Sequence, residues 1–506
     1  MGSGILIRAD ASIAIGTGHA MRCLALAQAW QDAGGCVTFA MAETTTAMKD
    51  RLLAEGCEVI AIQCEPGSDE DSQQTSKLAR ERRAQWIVVD GYRFSGRYQD
   101  VLRADGYRIL FLDDYGHAET YPSDFVLNQN VGADPSLYER RGADTRLLLG
   151  ARYALLRREF SVWRTWRRDT AEKGRRVLVM MGGSDPENLT ARVMAAANHA
   201  QVEDLTLTVV LGGSNPHGEK LERIAAESGA KVELLRDPAN LAELMAGADM
   251  AISAAGSTCW ELCLMGVPAL LIDVADNQKA LAEELQRREC AIHLGDRTVP
   301  EKRITEALGS LADSQRLRKS LAARARELVD GHGARRVVAT VRQRRCVWLR
   351  LASVEDRRLL WEWANDPEVR AASFTSDVIP WETHAAWFDN KIAEMELGGS
   401  RQSQIWIGED EEEAPAGQIR FDRRSDGGWD VGVSVARAMR GRGLAAEMIA
   451  QGVRKLRLEH PGAVVHAFIR VSNPASQKAF ERAGFRNAGR TMTGGHEATH
   501  FVFEER

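Results

Sequence analysis

Short apolar runs that alternate with helical stretches are the feature that most constrains the fold of this chain. They are rich in aliphatic and β-branched side chains, as in strands buried on both faces of a sheet. Because they fall into two successive series, we expect two doubly wound Rossmann-type α/β domains with ligand at the carboxyl ends of the strands. The first series lies at residues 5–10, 37–41, 59–62, 86–90 and 109–113, and the second at 176–181, 205–211, 232–235, 250–253 and 269–272.

The residue pattern changes near Arg345. Seven of the twelve tryptophans lie from Trp348 onward, whereas all eight cysteines lie at or before Cys346. The segment that follows mixes strands and helices in an α+β order. A helical pattern from Glu301 to Arg345 is expected to close the preceding unit. We therefore expect three domains, at residues 1–150, 151–345 and 346–506.

Composition excludes several classes of protein. A net charge of −5 over 506 residues argues against a dedicated nucleic-acid binder, and the basic pair Arg344-Arg345 is too short to change this. No apolar run approaches the roughly 20 residues of a membrane span, and the N-terminus lacks the pattern of a secretory signal. The cysteines form no Cys-x-x-Cys pair and fit a reducing compartment. We expect a cytoplasmic protein without nucleic-acid or membrane partners, of open oligomeric state.

A glycine turn that contains a histidine follows the first strand. Gly16-Thr17-Gly18-His19 stands before the helical stretch at 23–30. Free backbone N–H groups at a helix N-terminus suit a phosphate or diphosphate, but such a cradle needs no imidazole. His19 therefore indicates chemistry beside a bound phosphate, with a capping or packed histidine as the alternative. Met21 stands where a dinucleotide fingerprint requires glycine, which argues against an ordinary NAD site.

Three further segments of the phosphate-binding type follow strands of the second series. Each alone is weak, because a glycine after a strand is often only a turn, but at successive strand ends they form a ligand rim. Glu261 lies one helical turn into the helix opened by the middle segment, where a carboxylate can accept both ribose hydroxyls. The alternative is a first-turn glutamate that stabilises its own helix. The segments are Gly182-Gly183-Ser184-Asp185-Pro186, Gly256-Ser257-Thr258 and Asp276-Asn277-Gln278.

Together these segments resemble GT-B nucleotide-sugar enzymes such as the lipid II N-acetylglucosaminyltransferases, and more closely the UDP-sugar hydrolases of pseudaminic acid biosynthesis. The resemblance spans about residues 5–341 and includes motifs at 7–10, 16–23, 89–92, 112–114, 128–130, 182–186 and 275–278. It implies release of UDP from UDP-2,4-diacetamido-2,4,6-trideoxy-β-L-altrose by attack of water at the anomeric carbon. It also gives His19 the role of general base.

The chemistry of that reaction agrees with the residues. UDP is a good leaving group, so helix N-termini can absorb its charge without a general acid, whereas a base for water is still needed. The adjacent Asp113-Asp114 pair does not favour a metal, because neighbours on a strand point to opposite faces. We expect no metal. We expect UDP to contact Gly18, Gly182, Gly183, Ser184, Gly256, Ser257, Thr258, Glu261, Asn277 and Gln278, and the sugar to contact Asp90, Tyr92 and Asp113.

A second ligand site is predicted in the last domain. A strand at 431–435 precedes a glycine-rich turn and a helix, and Asn473-Pro474-Ala475-Ser476 precedes a further helix. This pairing resembles the GNAT acetyltransferase fold over about residues 346–503, which implies acetyl-CoA as cosubstrate. The expected contacts to acetyl-CoA are Val433, Val435, Arg440, Gly441, Gly443, Leu444, Ala445, Asn473 and Ser476.

The acid and base of this second site stay open. Many GNAT relatives have a tyrosine general acid where this chain has Phe480, which leaves Ser476 or water as alternatives. Asp430 and His384 are candidates for the base that deprotonates the amine, although each is more often structural.

The segments at 361–367 and 384–388 resemble the acetyltransferases of the same pathway, which acetylate the 4-amino group of the UDP-linked sugar. Their product is the substrate of the hydrolase. The sequence therefore predicts a bifunctional enzyme with a GT-B-like pair of Rossmann-type domains followed by an α+β GNAT domain. The alternatives are a glycosyltransferase fused to an acetyltransferase, and a non-catalytic regulator that binds nucleotide sugar and acetyl-CoA. The stereochemistry of the sugar is not determined by the sequence.

Overall fold

A computed structural model describes residues 4–12, 15–342, 346–396 and 402–504. The chain forms two compact units, one of residues 1–31 and 35–341 and the other of residues 32–34 and 342–506. None of the described helices is both long and apolar enough to span a bilayer.

The first half of the first unit is built on a parallel sheet. Its interior strands are apolar on both faces, and Leu6 and Ile7 of the first strand are fully buried. Its elements are β1 (Gly4–Ala9), α1 (Gly18–Asp32), β2 (Cys36–Met41), α2 (Thr46–Ala54), β3 (Glu58–Ala61), α3 (Asp69–Glu81), β4 (Ala84–Asp90), α4 (Gly96–Ala104), β5 (Arg108–Leu112), β6 (Phe125–Asn128) and β7 (Arg146–Leu149), with 3-10 turns at Pro135–Tyr138, Ala151–Tyr153 and Arg158–Trp163.

The second half repeats the architecture on a second parallel sheet. Three helices, rather than one continuous helix, close it; Ser314 caps the second of them through its side chain. Arg344 and Arg345 lie outside the described residues. The elements are β8 (Arg176–Met180), α5 (Leu189–His199), β9 (Thr206–Leu211), α6 (Gly218–Glu227), β10 (Lys231–Arg236), α7 (Leu241–Gly247), β11 (Met250–Ala254), α8 (Thr258–Met265), β12 (Ala269–Asp273), a 3-10 turn (Asp276–Gln278), α9 (Lys279–Arg287), β13 (Ile292–Asp296), α10 (Glu301–Asp313), α11 (Gln315–Leu328) and α12 (Gly333–Arg342).

Both sheets reverse their strand order at one point. The first has the order β3-β2-β1-β4-β5-β6-β7 and the second β10-β9-β8-β11-β12-β13. The chain therefore leaves β1 and β4, and likewise β8 and β11, toward opposite sides. In doubly wound sheets the crevice outside the carboxyl ends at this reversal is where ligands bind.

The second unit contains a mixed seven-stranded sheet in the order β14-β15-β16-β17-β18-β20-β19. The acidic run 409–413 ends one strand and turns toward the next, although Glu409 itself is buried and paired with Arg350. The elements are β14 (Trp348–Leu351), a 3-10 turn (Val354–Asp356), α13 (Arg357–Ala364), α14 (Pro367–Ala372), α15 (Trp381–Glu396), β15 (Ser403–Glu409), β16 (Pro415–Arg423), β17 (Trp429–Val435), a 3-10 turn (Arg437–Met439), α16 (Leu444–Glu459), β18 (Val465–Arg470), α17 (Pro474–Arg482), β19 (Arg486–Thr493) and β20 (His496–Phe503).

Strands β17 and β18 of this sheet are parallel and paired over a short length. Only Trp429 with Val465 and Asp430 with His466 are in register. Beyond Asp430 the two strands separate, and we call this opening the fork. It leaves the edge of β17 from Val431 to Val435 unpaired with β18, so its backbone groups are available to a ligand.

The expected fold class is confirmed: parallel Rossmann-type sheets are followed by a mixed-sheet domain. Strands β6, β7, β13, β19 and β20 were not expected from the apolar runs. Strand β19 shows why, because Arg486–Thr493 is largely exposed and carries no continuous apolar pattern. Its place in the sheet comes from antiparallel pairing with β20.

Candidate active sites

The loops that follow β1, β4, β8, β11 and β12 line one cleft of about 680 Å³ in the first unit. The structure brings together nearly all residues that the sequence predicts for the nucleotide sugar. Those lining the cleft are Gly18, His19, Asp90, Tyr92, Gly182, Gly183, Ser184, Gly256, Ser257, Thr258, Glu261, Asn277 and Gln278.

His19 is held by a carboxylate from the neighbouring strand. Its Nδ1 lies 2.7 Å from Oδ1 of Asp90, at the end of β4. Because a carboxylate only accepts hydrogen bonds, the N–H is on Nδ1 and donates to Asp90. The lone pair is then on Nε2, which has no hydrogen-bond partner among the described residues. The side chain is 11% exposed and lines the cleft.

Arg22 completes this arrangement from the next turn of α1. Its Nε and Nη2 each donate to an oxygen of Asp90 at 2.6 Å, and its Nη1 donates to Asp114 at 2.6 Å. Burial opposes ionisation of Asp90, but the charges of Arg22 and His19 and their hydrogen bonds outweigh it and hold the pKa of this carboxyl well below its ordinary range. Asp90 is therefore a fixed negative charge that orients the imidazole.

Tyr92 joins the two halves of the cleft. Its hydroxyl donates to Asp114 at 2.6 Å and accepts from Nδ2 of Asn277 at 2.6 Å. Its ring also stands edge-on to His19, with centroids 4.7 Å apart. Burial and the charge of Asp114 raise the pKa of Tyr92, so the phenol stays protonated. The contact between Tyr92, which follows β4, and Asn277, in the 3-10 turn after β12, therefore closes one end of the cleft.

Asp113 does not take the sugar-facing position that the sequence suggested. It is 1% exposed, and its oxygens accept from the backbone N–H groups of Tyr115 and Gly116 and from the hydroxyl of Tyr121. Its carboxylate therefore organises the loop after β5. Asp114 lines the cleft instead, as expected when neighbouring side chains point to opposite sides.

Helix α8 begins opposite His19. Ser257 precedes its first residue, and its side chain makes no capping hydrogen bond. The N–H groups of Cys259 and Trp260 donate to the carbonyls of Gly256 and Ser257, whereas those of Ser257 and Thr258 have no partner among the described residues and remain open to a ligand. A Cβ on Gly18 would lie 4.0 Å from Oγ of Ser257, so the turn before α1 and the start of α8 face each other closely. The oxygens of an anion bound between this turn and the start of α8 would accept hydrogen bonds from N–H groups of both segments.

Glu261 is buried beside an arginine that the sequence did not indicate. Arg157 donates through Nε and Nη2 to Oε1, at 3.2 and 2.9 Å. Burial raises the pKa of Glu261, and the charge of Arg157 opposes that rise. Oε2 has no hydrogen-bond partner among the described residues and remains an acceptor for hydroxyls.

The glycines after β8 allow a close approach of backbones. Gly182 has a φ of +87°, in the left-handed region, and a Cβ on Gly212 would lie 2.2 Å from the carbonyl oxygen of Gly183. Asp185 accepts from the N–H groups of Leu189 and Thr190 and so caps α5. Ser184 is buried and lines the cleft.

Many residues lining this cleft were absent from the predicted contacts, and four of them have polar side chains that pair with the predicted residues or with each other. Arg22 carried a detectable signal, because it lies one helical turn after His19 on α1. Asn130 also had a signal, because it ends the motif at 128–130, whereas Arg157 comes from an irregular segment where no periodicity points to a site. These four residues are Arg22, Asp114, Asn130 and Arg157.

The fork in the second unit has the features of the predicted acetyl-CoA site. Val433 and Val435 lie on the part of β17 that pairs with β16 but not with β18. Gly441 and Gly443 both have a φ of +77°, which only glycine adopts readily, and they lead into the N-terminus of α16 at Leu444 and Ala445. Backbone N–H groups therefore point out of this turn toward any bound pyrophosphate.

Two side chains expected to contact acetyl-CoA have other partners. Arg440 donates to Asp366 at 2.8 Å, to Glu368 at 2.9 Å and to the carbonyl of Val435 at 3.1 Å. It therefore anchors the turn, and the backbone provides the donors. Asn473 caps α17 by accepting from the N–H of Ser476, and its amide donates to the Ser476 hydroxyl.

The candidate acid and bases are placed as follows. Phe480 is 3% exposed and packs against Phe485 in the core. His384 is 4% exposed and lies beside Trp387 and Phe388, and burial lowers its pKa. Asp430 accepts from Arg424 at 2.9 Å.

Two known domain families match this chain. Residues 177–337 match the Glycosyltransferase family 28 C-terminal domain, and residues 347–486 match the Acetyltransferase (GNAT) domain. The first match covers the second sheet of the first unit, and the second covers most of the second unit. The chain therefore carries a glycosyltransferase-28-type domain followed by a GNAT acetyltransferase domain.

Two relatives extend over more of the chain. The spore coat polysaccharide biosynthesis protein SpsG of Bacillus subtilis is 29% identical over 277 residues, which cover 53% of this chain and 80% of that protein. An uncharacterized protein of Methanocaldococcus jannaschii is 21% identical over 393 residues, which cover 76% of this chain and 77% of that protein.

Solved structures resemble each part separately. MurG of Acinetobacter baumannii is 16% identical with a TM-score of 0.48, covering 67% of this chain and 99% of its own. The aminoglycoside acetyltransferase AAC(6')-Ib in complex with coenzyme A and kanamycin is 17% identical with a TM-score of 0.27, covering 31% of this chain and 94% of its own.

Proposed function

We propose that the chain is a bifunctional enzyme of pseudaminic acid biosynthesis. Its second unit acetylates the 4-amino group of UDP-4-amino-4,6-dideoxy-2-acetamido-β-L-altrose with acetyl-CoA. Its first unit then hydrolyses the product, UDP-2,4-diacetamido-2,4,6-trideoxy-β-L-altrose, to the free sugar and UDP. The similarity to a polysaccharide biosynthesis protein supports a sugar substrate, and the sequence motifs support these particular substrates.

The observation that carries the hydrolase assignment is the contact between His19 and Asp90. A carboxylate on Nδ1 fixes the tautomer that leaves Nε2 basic, which is the arrangement of a general base. In the proposed step Nε2 takes a proton from water, the water oxygen bonds to C1 of the sugar, and the bond from C1 to the phosphate oxygen breaks. UDP leaves with the bonding electrons.

The wall of the cleft opposite His19 stabilises the UDP leaving group. The start of α8 at Ser257 and Thr258 and the turn at Gly182 and Gly183 present N–H donors where the diphosphate gains charge. The free Oε2 of Glu261 accepts from the ribose hydroxyls. Tyr92 borders the sugar, close to His19.

An isotope experiment tests the hydrolysis. The purified protein is incubated with the diacetamido UDP-sugar in ¹⁸O water, and the products are identified by mass and NMR. The proposal requires free sugar that carries the label and unlabelled UDP, formed without any sugar acceptor. A strict requirement for an acceptor would instead favour a glycosyltransferase, the alternative that the family 28 match supports.

Variants test the role of His19. His19→Gln is expected to lower kcat by about 10²–10⁴-fold. The matched control is His199→Gln, which changes an exposed histidine at the end of α5. A His19→Gln enzyme with the control's rate would refute the general-base assignment.

The acetyltransferase step has its own assay. Release of thiol from acetyl-CoA is followed in the presence of the 4-amino UDP-sugar, and the product is checked for one added acetyl group. No thiol release with this sugar would refute the proposed substrate, whatever the outcome for the hydrolase. Binding of both ligands without turnover would favour the regulator.

A further inference from the structure

Two histidines of the second unit meet where the fork begins. Nδ1 of His466, on β18, lies 3.0 Å from Nε2 of His500, on β20. The two rings are 23° from parallel with centroids 5.2 Å apart, and both side chains are half-buried. This pair has no part in the acetyl-CoA contacts described above.

The strand register places the pair beside the opening. His466 is opposite Asp430, the last residue of β17 that is in register with β18. His500 is on β20, which pairs with β18 on the side away from β17 and the fork; it is opposite Phe468, two residues beyond His466 along β18, and its ring stacks on Phe468 with centroids 4.6 Å apart and planes 6° apart. Stacking on one side and a hydrogen bond at Nε2 fix the orientation of the His500 ring, while Nδ1 has no partner among the described residues.

The charges around the pair favour a neutral imidazole. Burial, His466 and Arg424 lower the pKa of His500, and Asp430 opposes them. Arg424 donates to Asp430 and to Asp426, and its guanidinium lies 5.8 Å from the ring centroid of Phe468. A neutral imidazole can accept a proton at physiological pH.

We propose that His500, supported by His466, accepts the proton of the ammonium group that this unit acetylates; this inference rests on the acetyltransferase activity proposed above. Nδ1 of His500 takes one proton from the ammonium, and the hydrogen bond to His466 shares the resulting charge. The freed amine attacks the thioester carbonyl, so a C–N bond forms and the C–S bond breaks. The second amine proton passes to the departing thiolate, and the pair returns its proton to solvent.

The two base candidates named from the sequence fit this task less well. His384 is enclosed by aromatic side chains, and Asp430 is paired with Arg424. The pair has a half-buried imidazole, a fixed ring and a second base to share the charge. His500 is thus the proton acceptor, and His466 is the positioning residue.

Three variants test this assignment in the full-length protein: His500→Gln, His466→Gln and the control His460→Gln. His460 packs on Trp429, whose side chain is in the core on the other side of β17 from Asp430. Thiol release from acetyl-CoA with the 4-amino UDP-sugar is measured from about pH 6 to about pH 9.5, together with the Kd of coenzyme A.

We expect His500→Gln to lower kcat/KM about 10²-fold near neutral pH, with the loss shrinking as pH rises, because more of the amine is then already deprotonated. His466→Gln is expected to cause a smaller loss of kcat/KM and to shift the acidic side of the plot of kcat/KM against pH. The Kd of coenzyme A is expected to stay at the wild-type value in both variants.

A His500→Gln enzyme with the rate and pH profile of His460→Gln would overturn this inference alone. An equal loss at every pH together with weakened coenzyme A binding would also overturn it, because that result indicates a structural role. Absence of thiol release by the wild-type protein would refute the proposed acetylation, and this inference with it.

Discussion

The amide of Asn277 donates to the hydroxyl of Tyr92, so one hydrogen bond of 2.6 Å joins the two Rossmann-type halves of the first unit directly across the cleft. The same hydroxyl donates to Asp114. The two residues are far apart in sequence and come from different sheets. Their contact sets the width of the cleft at the end where His19 lies.

Removing this contact is expected to weaken nucleotide-sugar binding. Tyr92→Phe and Asn277→Ala should each raise the Kd of the UDP-sugar about 3–10-fold, since a hydrogen bond contributes about 0.5–1.5 kcal/mol net. The Kd of the double variant should be no higher than that of the single variant with the higher Kd, because both substitutions remove the same interaction. Calorimetry provides the measurement, and Tyr115→Phe, which changes a neighbouring exposed tyrosine, is the control. Fully additive losses would contradict a direct coupling.

A buried ion cluster at the first sheet, around Arg8 of β1, is expected to control the stability of the first unit. Arg8 is 0% exposed and donates to Asp71 at 2.8 Å and to Asp10 at 2.7 Å. Arg8→Met leaves two carboxylates buried without their cation, which should lower the free energy of unfolding by about 3–5 kcal/mol. The control Arg82→Met removes an exposed arginine that pairs with Glu58 and should leave the urea midpoint nearly unchanged. Similar midpoints for both variants would contradict the prediction.

Asp90 is expected to make stability depend on pH. Its pKa is lower in the folded chain than in the unfolded chain, so the unfolded state takes up the proton first as the solution is acidified. The stabilisation is complete above about pH 4, the ordinary range of an aspartate, and is lost as pH falls toward the folded pKa. Urea unfolding from about pH 7 to about pH 3 should show this loss, and Asp90→Asn should flatten it. Asp50→Asn, at an exposed site on α2, should retain the wild-type slope.

The close approach after β8 predicts a strict requirement for glycine. Gly212→Ala places a Cβ against the carbonyl of Gly183 and should cost about 1–3 kcal/mol of stability and raise the KM of the hydrolase reaction. Gly229→Ala meets nothing within 4 Å and should change neither quantity appreciably. Thermal unfolding and steady-state kinetics are the measurements. Equal behaviour of the two variants would show that the loop after β8 relaxes without cost.

The sequence was sufficient for those features that depend on local pattern. Apolar runs located the strands around Leu6 and Val179, and a glycine after a strand located the loops that hold Gly182 and Gly256. The Asp113-Asp114 pair shows the limit, because alternation predicts opposite directions but does not say which one faces the cleft. That choice is made by the N–H groups of Tyr115 and Gly116, which converge on Asp113.

Contacts between distant segments were not predictable in this way. Arg157 contacts Glu261 only because the irregular segment that holds Arg157 packs against helix α8, which holds Glu261. His466 and His500 become neighbours through the antiparallel register of β18 and β20, and the apolar run of β20 is only three residues long, from Phe501 to Phe503. Both pairs depend on register and packing, which a single sequence does not specify.

The adjacency of β1 and β4 has a consequence for how this unit can vary. Strands β2 and β3 form one wing of the sheet, yet His19, at the start of α1, and Asp90, at the end of β4, are positioned at the ends of the adjacent strands β1 and β4. Length changes in the wing would therefore leave the distance between these two side chains intact. Homologues can be expected to differ most in the wing, and a graft of foreign sequence at the turn between α2 and β3 should yield an enzyme that still performs its reaction.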